Sequence, residues 1–115
     1  MTHYEFSDIL SEHLPPDMNV ITGSSGLAVE IFYMSYRNRA GQRMFLTSGL
    51  GAMGYGVPAG IAASLASGKT VITFAGDGDF LMTGQELATA SQHGAKTIIV
   101  LLNNGMYGTI RMHQE

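Results

Sequence analysis

The sequence predicts an α/β fold in which helices cover both faces of a doubly wound parallel sheet. Segments with helical spacing alternate with short apolar segments along the chain. Two of the short segments, Thr70–Ala75 and Thr97–Leu102, are continuously apolar and rich in β-branched residues, with no alternation of polar and apolar positions. That pattern is typical of parallel strands, so we expect these two strands to be buried on both faces of the sheet.

The first half of the chain contains two predicted helices and two predicted strands. Apolar residues recur every three or four positions over Tyr4–Leu14, which predicts a helix that ends at Pro15-Pro16. Asn19–Thr22 is β-branched and leads into a Gly-Ser loop, as strands of α/β proteins do. Helical spacing returns over Leu27–Arg37, and Arg43–Thr47 predicts the second strand.

The second half repeats this alternation. Val57–Ser67 is rich in alanine and is followed by a glycine, which predicts a helix with a glycine at its C-terminal end. The strand Thr70–Ala75, a helix over Phe80–His93 and the strand Thr97–Leu102 complete the pattern. Few residues follow the last strand, whereas a complete doubly wound domain continues for further strands. We therefore expect residues 1–115 to be part of one truncated domain.

Composition excludes several classes of function. The chain has 9 acidic and 6 basic residues and a net charge of −3, with dispersed basic side chains, so it lacks the usual electrostatic footprint of a nucleic-acid or anionic-membrane binder. The absence of cysteine excludes disulfides, thiolate nucleophiles and Cys-ligated metal sites. The apolar segments are too short to span a bilayer, and the polar N-terminus does not resemble a signal peptide. We expect a cytoplasmic protein.

A glycine-rich loop follows the second predicted strand. Gly49–Gly54 matches the pattern G-x-G-x-x-G, which occurs in dinucleotide-binding proteins between a strand and a helix. However, Gly56 and Pro58 interrupt the first turns of the following helix. The next acidic residue, Asp77, has a glycine on each side, which a ribose-binding acid does not require. A non-catalytic, Rossmann-like module that binds a nucleotide or a phosphate remains the alternative interpretation.

Two further loops favour a metal and a diphosphate. The sequence Gly76-Asp77-Gly78 follows an apolar strand, where an aspartate is costly unless it binds something such as a hard divalent cation. The two glycines lack the Cβ atoms that would keep a diphosphate away from the backbone N–H groups. Asn104 follows the next strand and offers a neutral oxygen ligand. Because Mg²⁺ is usually held by one or two protein groups together with substrate phosphates, the loops predict a magnesium–diphosphate site.

The spacing of these loops resembles the signature of thiamine-diphosphate-dependent enzymes, a G-D-G followed after some two dozen residues by N-N, here Asn103-Asn104. The surrounding segments Gly51–Ala59 and Gln85–Ala90 resemble those of the acetolactate synthase and pyruvate oxidase branch. The resemblance is strongest over Thr47–Glu115. It implies that the chain is the diphosphate-binding, C-terminal domain of such an enzyme, with the thiamine-diphosphate-binding fold.

The resemblance also implies which residues hold the metal and the diphosphate. The implied Mg²⁺ ligands are Asp77, the side chain of Asn104 and the backbone carbonyl of Met106. The backbone N–H groups of Gly78 and Asp79 are expected to contact the diphosphate. A second carboxylate beside a diphosphate is unfavourable, so the Asp79 side chain is expected to turn to solvent or to cap the following helix.

The other half of the implied site holds the aminopyrimidine ring. Met53 takes the place of the bulky residue that bends the cofactor, and the carbonyl of Gly51 is expected to accept a hydrogen bond from the 4′-amino group. Tyr107 borders either the active site or a subunit interface. The full implied cofactor-binding set is Gly51, Ala52, Met53, Gly76, Asp77, Gly78, Asp79, Asn104 and Met106.

The function implied by the resemblance is that of a thiamine-diphosphate- and Mg²⁺-dependent decarboxylase or carboligase, a lyase or transferase acting on a small 2-oxo acid. In this family the activating glutamate belongs to a separate pyrimidine-binding domain. No catalytic residue is therefore expected in these 115 residues, and we expect the chain alone to be inactive. A homodimer or homotetramer of the full-length enzyme, or a separate pyrimidine-domain subunit, completes the implied site. FAD on a further domain remains an open alternative.

Overall fold

The computed structural model describes residues 1–24 and 32–114. Its elements in chain order are α1 (His3–His13), β1 (Asn19–Thr22), β2 (Met44–Leu46), α2 (Gly56–Ser67), β3 (Val71–Gly76), α3 (Asp77–Thr83), a 3₁₀ helix (Gly84–Glu86), α4 (Leu87–His93), β4 (Thr97–Leu102) and α5 (Gly108–Gln114). Residues 32–35 are also helical, and the earlier part of the helix predicted over Leu27–Arg37 falls mostly outside the described residues. Within the described ranges, no helix is long and apolar enough to cross a membrane.

The four strands form one parallel sheet in the order β2-β1-β3-β4. Strand β1 therefore lies between β2 and β3, although β2 follows it in the chain. Strands β3 and β4 pair along their whole length, from Val71 opposite Thr97 to Gly76 opposite Leu102. The α/β class and the parallel sheet that the sequence predicts are confirmed.

Apolar side chains pack on both faces of the sheet. On one face, Ile72 and Phe74 of β3 pack with Leu14 and with Phe32, whose ring centroid lies 4.5 Å from that of Phe74. On the opposite face, Val57 of α2 belongs to a second cluster that also includes Ile61, Ala90, Phe80 and Ile99. Helices therefore cover both faces, as the doubly wound pattern predicts.

The ends of α1 and α2 follow from local sequence. Thr2 and Glu5 form a capping box at the start of α1, in which Thr2 Oγ1 accepts from Glu5 N at 3.2 Å and Glu5 Oε2 accepts from Thr2 N at 2.7 Å. Helix α2 ends before Gly68, whose N–H donates to the carbonyl of Ser64. These local signals require no tertiary contact, which explains why the sequence predicts both ends closely.

The burial predicted for β4 is wrong. Strand β3 is buried at every position, but β4 is only partly covered, and Ile98 and Leu101 are 48 % and 45 % exposed. The two strands have similar composition, so composition does not explain the difference. Strand β4 lies at the edge of the described sheet, with β3 as its only neighbour there, and an edge strand is covered less than a central one.

The single helix predicted over Phe80–His93 is also wrong. Helix α3 starts at Asp77, directly after β3, and a 3₁₀ helix separates it from α4. At the break, Thr83 has the non-helical angles φ −139° and ψ 12°, and its hydroxyl donates to the carbonyl of Gly54 at 2.9 Å. Gly84 follows Thr83 and has a low helix propensity. A tertiary hydrogen bond and a glycine therefore coincide where the helix is interrupted.

Candidate functional site

A cavity of about 480 Å³ lies at the carboxyl ends of the strands. It is bordered by the loop before α2, the first residues of α3 and the loop between β4 and α5. Every predicted cofactor-binding residue except Ala52 lines it: Gly51, Met53, Gly76, Asp77, Gly78, Asp79, Asn104 and Met106. The structure thus brings together residues that are up to 55 positions apart in the sequence.

The strand order explains this convergence. Because β3 and β4 are parallel neighbours with Gly76 opposite Leu102, the residues that follow them, Asp77 and Asn103, emerge at the same edge of the sheet. The loop after β1 also reaches the cavity, where Ser24 lines it. Sequence reasoning missed Ser24 because the sequence does not reveal that β1 lies next to β3. His3, at the start of α1, lines the cavity as well, and no sequence signal indicated it.

The predicted metal ligands offer hard oxygen atoms. Within the described part of the chain, the partly exposed Asp77 carboxylate makes no hydrogen bond or ion pair. The side-chain oxygen of Asn104 accepts from Met106 N at 3.0 Å, and that of Asn103 accepts from Gly105 N at 2.9 Å, so the loop after β4 is held by its own short-range contacts. Among the described residues, no three His, Cys, Asp or Glu side chains cluster as a metal centre. A cation here would therefore be held by one carboxylate, by amide and carbonyl oxygens, and by the phosphate oxygens of a bound diphosphate. Mg²⁺ accepts such a set of oxygen ligands.

Tyr107 borders the candidate site. It lines the cavity, is 49 % exposed, and a Cβ atom added to Gly78 would overlap its ring. The structure thus agrees with the alternative that Tyr107 borders the site, and a contact with another subunit stays a prediction. It also supplies a second reason for glycine at position 78, since any larger residue would displace the ring.

Asp79 does not behave as predicted. Its side chain neither turns to solvent nor caps the following helix, because it is only 2 % exposed and α3 has no side-chain cap. Instead, Oδ1 accepts from Gly54 N at 2.6 Å, and the carboxylate lies against Gly23 and Gly56, where an added Cβ would crowd it. Glycines on two neighbouring segments thus leave the space that the carboxylate occupies.

Burial is the main influence on the acidity of Asp79. Loss of hydration disfavours the charged form and raises the pKa of this carboxyl above its ordinary value. The hydrogen bond from Gly54 N and the nearby backbone of Ser24 act in the opposite direction and lower the pKa by a smaller amount, while Oδ2 has no hydrogen-bond partner among the described residues. The backbone groups of Gly54 and Ser24 therefore only partly compensate the carboxylate for its loss of hydration.

The loop Gly51–Gly54 is fixed by hydrogen bonds to two other segments. Gly54 donates to Asp79 and accepts from Thr83, and the carbonyl of Gly51 accepts from Ser24 Oγ at 2.5 Å. Gly51 and Gly54 have φ angles of 61° and 87°, which only glycine adopts readily. A carbonyl oxygen has two lone pairs, so the bond from Ser24 leaves Gly51 able to accept a second donor from the cavity.

The comparisons with known proteins agree with this geometry. Residues 22–115 match the model of the family described as "Thiamine pyrophosphate enzyme, C-terminal TPP binding domain", TPP being thiamine diphosphate. The chain is 38 % identical over 110 residues to the acetolactate synthase large subunit of Lactococcus lactis subsp. lactis, covering 93 % of this chain and 19 % of that protein. It is 40 % identical over 111 residues to the "Probable 2-ketoarginine decarboxylase AruI" of Pseudomonas aeruginosa, covering 95 % and 20 %.

A solved structure is similar over almost the whole chain. The thiamine diphosphate-dependent 4-hydroxybenzoylformate decarboxylase of Rhodococcus jostii RHA1 superposes with a TM-score of 0.85 at 25 % identity, covering 99 % of this chain and 21 % of that one. The chain spans about a fifth of the length of the curated relatives named above. The match over residues 22–115 confirms the resemblance found in the sequence. The chain belongs to the thiamine pyrophosphate enzyme family, in which it is a C-terminal TPP-binding domain of the acetolactate synthase-like branch.

Proposed function

We propose that this chain forms the diphosphate- and Mg²⁺-binding part of an enzyme that decarboxylates 2-oxo acids or joins them to a carbonyl acceptor. The observation that carries the proposal is that Gly76-Asp77-Gly78 and the Asn104 loop follow adjacent parallel strands and line one cavity. Relatives named as an acetolactate synthase and as a 2-ketoarginine decarboxylase support the reaction class.

The residues present fit a hydrated Mg²⁺ with a diphosphate. In the proposal the Asp77 carboxylate, the Asn104 side-chain oxygen and the Met106 carbonyl hold the metal, and phosphate oxygens complete its shell. The absence of a hydrogen-bond or ion-pair partner for Asp77 among the described residues supports this role, because a carboxylate in a cavity favours a cation nearby. The neutral Asn104 avoids a second negative charge where the diphosphate must bind.

The opposite wall of the cavity fits the organic part of the cofactor. Met53 lines it with a partly buried side chain, and the Gly51 carbonyl keeps a free lone pair. The volume of about 480 Å³ lies within the usual range of small-molecule sites. When bound, thiamine diphosphate supplies the carbon nucleophile for a 2-oxo acid carbonyl and the electron sink for loss of CO₂. The chain's own residues bind and orient that group.

The proposal assigns no catalytic residue to this chain. The activating glutamate is placed on a separate pyrimidine-binding domain, supplied by another subunit of a homodimer or homotetramer or by a distinct protein. The relatives support this division, because the chain spans only about a fifth of their length. The chain alone is accordingly proposed to be inactive.

Calorimetry on the full-length protein tests the binding. Titration with thiamine diphosphate and Mg²⁺ should release heat, and Asp77→Ala should weaken the affinity by ~100-fold, at the upper end of the losses seen when metal-site partners are removed. Asp17→Ala is the matched control, since Asp17 is an exposed carboxylate outside the cavity. No heat from the wild type, or equal affinities for the two variants, would contradict the proposal.

A substrate screen tests the reaction class. The loaded full-length protein should release CO₂ from pyruvate or another 2-oxo acid, and chromatography of the products should separate an aldehyde from a carboligation product. Asp77→Ala should abolish both at cofactor concentrations that saturate the wild type. If the loaded protein consumes no 2-oxo acid, the proposed reaction is wrong even where the cofactor binds.

A further inference from the structure

The enclosed carboxylate of Asp79 has no part in the function proposed above. The carboxylate is buried, and it lies against segments from three places in the chain: Gly23 after β1, Gly54 in the loop before α2, and Gly56 at the start of α2. An isolated carboxylate in such surroundings is costly unless its hydrogen bonds repay the loss of water. We therefore look for a function of this carboxylate that a small apolar side chain could not provide.

We propose that Asp79 is a positioning residue, which fixes the loop Gly51–Gly54 relative to the metal-binding end of α3 so that both halves of the cofactor site stand in place before a ligand arrives. The inference rests on the proposed function. It deepens that function by assigning a role to a side chain that touches neither metal nor diphosphate.

One short helix, α3, contributes to both halves of the site. Asp77, the proposed metal ligand, is the first residue of α3, and Asp79 and Thr83 are four positions apart on the same helix. Residues at that spacing lie on one helix face, and here both bond to the same residue. Asp79 accepts from Gly54 N at 2.6 Å, and Thr83 donates to the carbonyl of Gly54 at 2.9 Å. Both backbone groups of Gly54 are thereby tied to the element that carries Asp77.

The segments around the loop also leave space for this carboxylate. A Cβ atom on Gly23 would overlap Asp79, and one on Gly56 would lie 3.2 Å from its Oδ2. Gly54 has φ 87° and places its N–H toward the carboxylate. A hydrogen bond to a charged acceptor is stronger and more directional than one between neutral groups. The arrangement therefore fixes the loop in orientation as well as in distance.

The test compares two probes on the full-length protein. Magnesium pyrophosphate should use only the metal and diphosphate half, whereas thiamine diphosphate with Mg²⁺ should need both halves. Asp79→Ala should lower the affinity for thiamine diphosphate by about tenfold, the loss expected for one charged hydrogen bond. It should lower the affinity for magnesium pyrophosphate by less than about twofold. Asp79→Asn keeps an oxygen for Gly54 N and should restore most of the lost affinity.

Hydrogen exchange supplies a measurement that needs no ligand. The Gly54 amide should exchange about tenfold faster in Asp79→Ala than in the wild type, for the same lost hydrogen bond. Thr83→Val removes the other bond to Gly54 without touching the carboxylate. It should reproduce the selective loss of thiamine diphosphate affinity, and it replaces Asp79→Ala as the test if that variant does not fold.

Ser64→Ala is the matched control. Ser64 is 3 % exposed and also bridges two segments, since its hydroxyl donates to Lys69 O at 3.1 Å and accepts from Lys96 N at 2.7 Å, but it lies outside the cavity. It should lower stability and leave the ratio of the two affinities unchanged. Equal weakening of both probes by Asp79→Ala, or unchanged exchange at Gly54, would overturn the inference. If the wild type binds neither probe, the proposed function fails, and the exchange of Gly54 still decides whether Asp79 holds the loop.

Discussion

Strands β3 and β4 are alike in sequence and different in surroundings. Each has six residues, each is apolar and β-branched, and they pair residue by residue. Yet β3 is buried throughout, whereas β4 exposes about half of Ile98 and Leu101. The difference teaches that composition indicates what a strand is able to bury, and that its place in the strand order decides what it does bury.

The same contrast extends to the loops that follow the two strands. After β3, helix α3 starts at once and is tied to a distant loop through the bonds of Asp79 and Thr83 to Gly54. After β4, the exposed side chains of Asn103 and Asn104 accept hydrogen bonds from backbone N–H groups two residues further on, and they make no other hydrogen bond among the residues that the structure describes. One half of the candidate metal site is therefore fixed by tertiary contacts, and the other half by local ones.

The largest expected effect comes from truncating a matched pair of residues on the two strands. Ile72 and Ile98 face each other in register, and Ile72 is only 4 % exposed. Ile72→Ala should lower the free energy of unfolding by about 2–5 kcal/mol because it leaves a cavity in the core. Ile98→Ala should cost about 1 kcal/mol, since half of its side chain is already in water. Denaturant unfolding of the full-length protein measures both, and equal losses would show that β4 is covered there as β3 is.

A smaller effect is expected where α2 packs on β3. A Cβ atom added to Gly60 would overlap Thr73 Oγ1 of β3. The same atom would make an ordinary contact, at 3.4 Å, with Thr97 Oγ1 of β4. Gly60→Ala should therefore destabilise the protein by about 1–2 kcal/mol, because overpacking outweighs the better helix propensity of alanine. Thermal unfolding checks this, and the further change Thr73→Ala should recover part of the loss. A net gain in stability for Gly60→Ala alone would refute the close contact.

The next effect sharpens the comparison of the two loops. Asn104→Ala removes one proposed metal ligand and the bond from Met106 N. We expect the affinity for thiamine diphosphate with Mg²⁺ to fall by about tenfold, less than for Asp77→Ala, because a neutral ligand attracts the cation less strongly than a carboxylate does. Calorimetry over a range of Mg²⁺ concentrations measures the loss. An Asn104→Ala variant that is as weak as Asp77→Ala would indicate that the two loops contribute equally.

The smallest expected effect is a pH dependence of stability due to Tyr36, which packs against the sheet. Burial raises the pKa of Tyr36 above its ordinary value of 10.0, and the hydrogen bond to Gln42 and the charge of Arg39 oppose this more weakly. Between the ordinary and the raised value the folded state keeps a proton that the unfolded state has lost, so stability should fall as pH rises above 10. Unfolding midpoints measured from pH 9 to 11 should show a shallower decline in Tyr36→Phe than in the wild type. An identical decline in the variant and the wild type would show that groups other than Tyr36 cause the loss of stability.

Local signals account for the parts that the sequence predicts well. The end of α1 before Pro15-Pro16, the glycine after α2 and the apolar segment Thr97–Leu102 each depend on neighbours in the chain, and each appears where expected. The pairing of Gly76-Asp77-Gly78 with Asn104 was also predictable, because the ends of parallel strands meet at one edge. Whether these residues bind as the family resemblance implies stays a prediction.

The family, the α/β class and the candidate binding residues were thus determined by the sequence itself, through short motifs and local periodicity. Only the tertiary structure decided that β4 is half exposed, that β1 and its Ser24 lie beside β3, that Thr83 coincides with a helix break, and that Asp79 turns inward to Gly54. Each of these depends on a contact between segments far apart in the chain. Such contacts follow from how the strands are ordered and how closely the glycines let the loops approach, and no local pattern of residues encodes either.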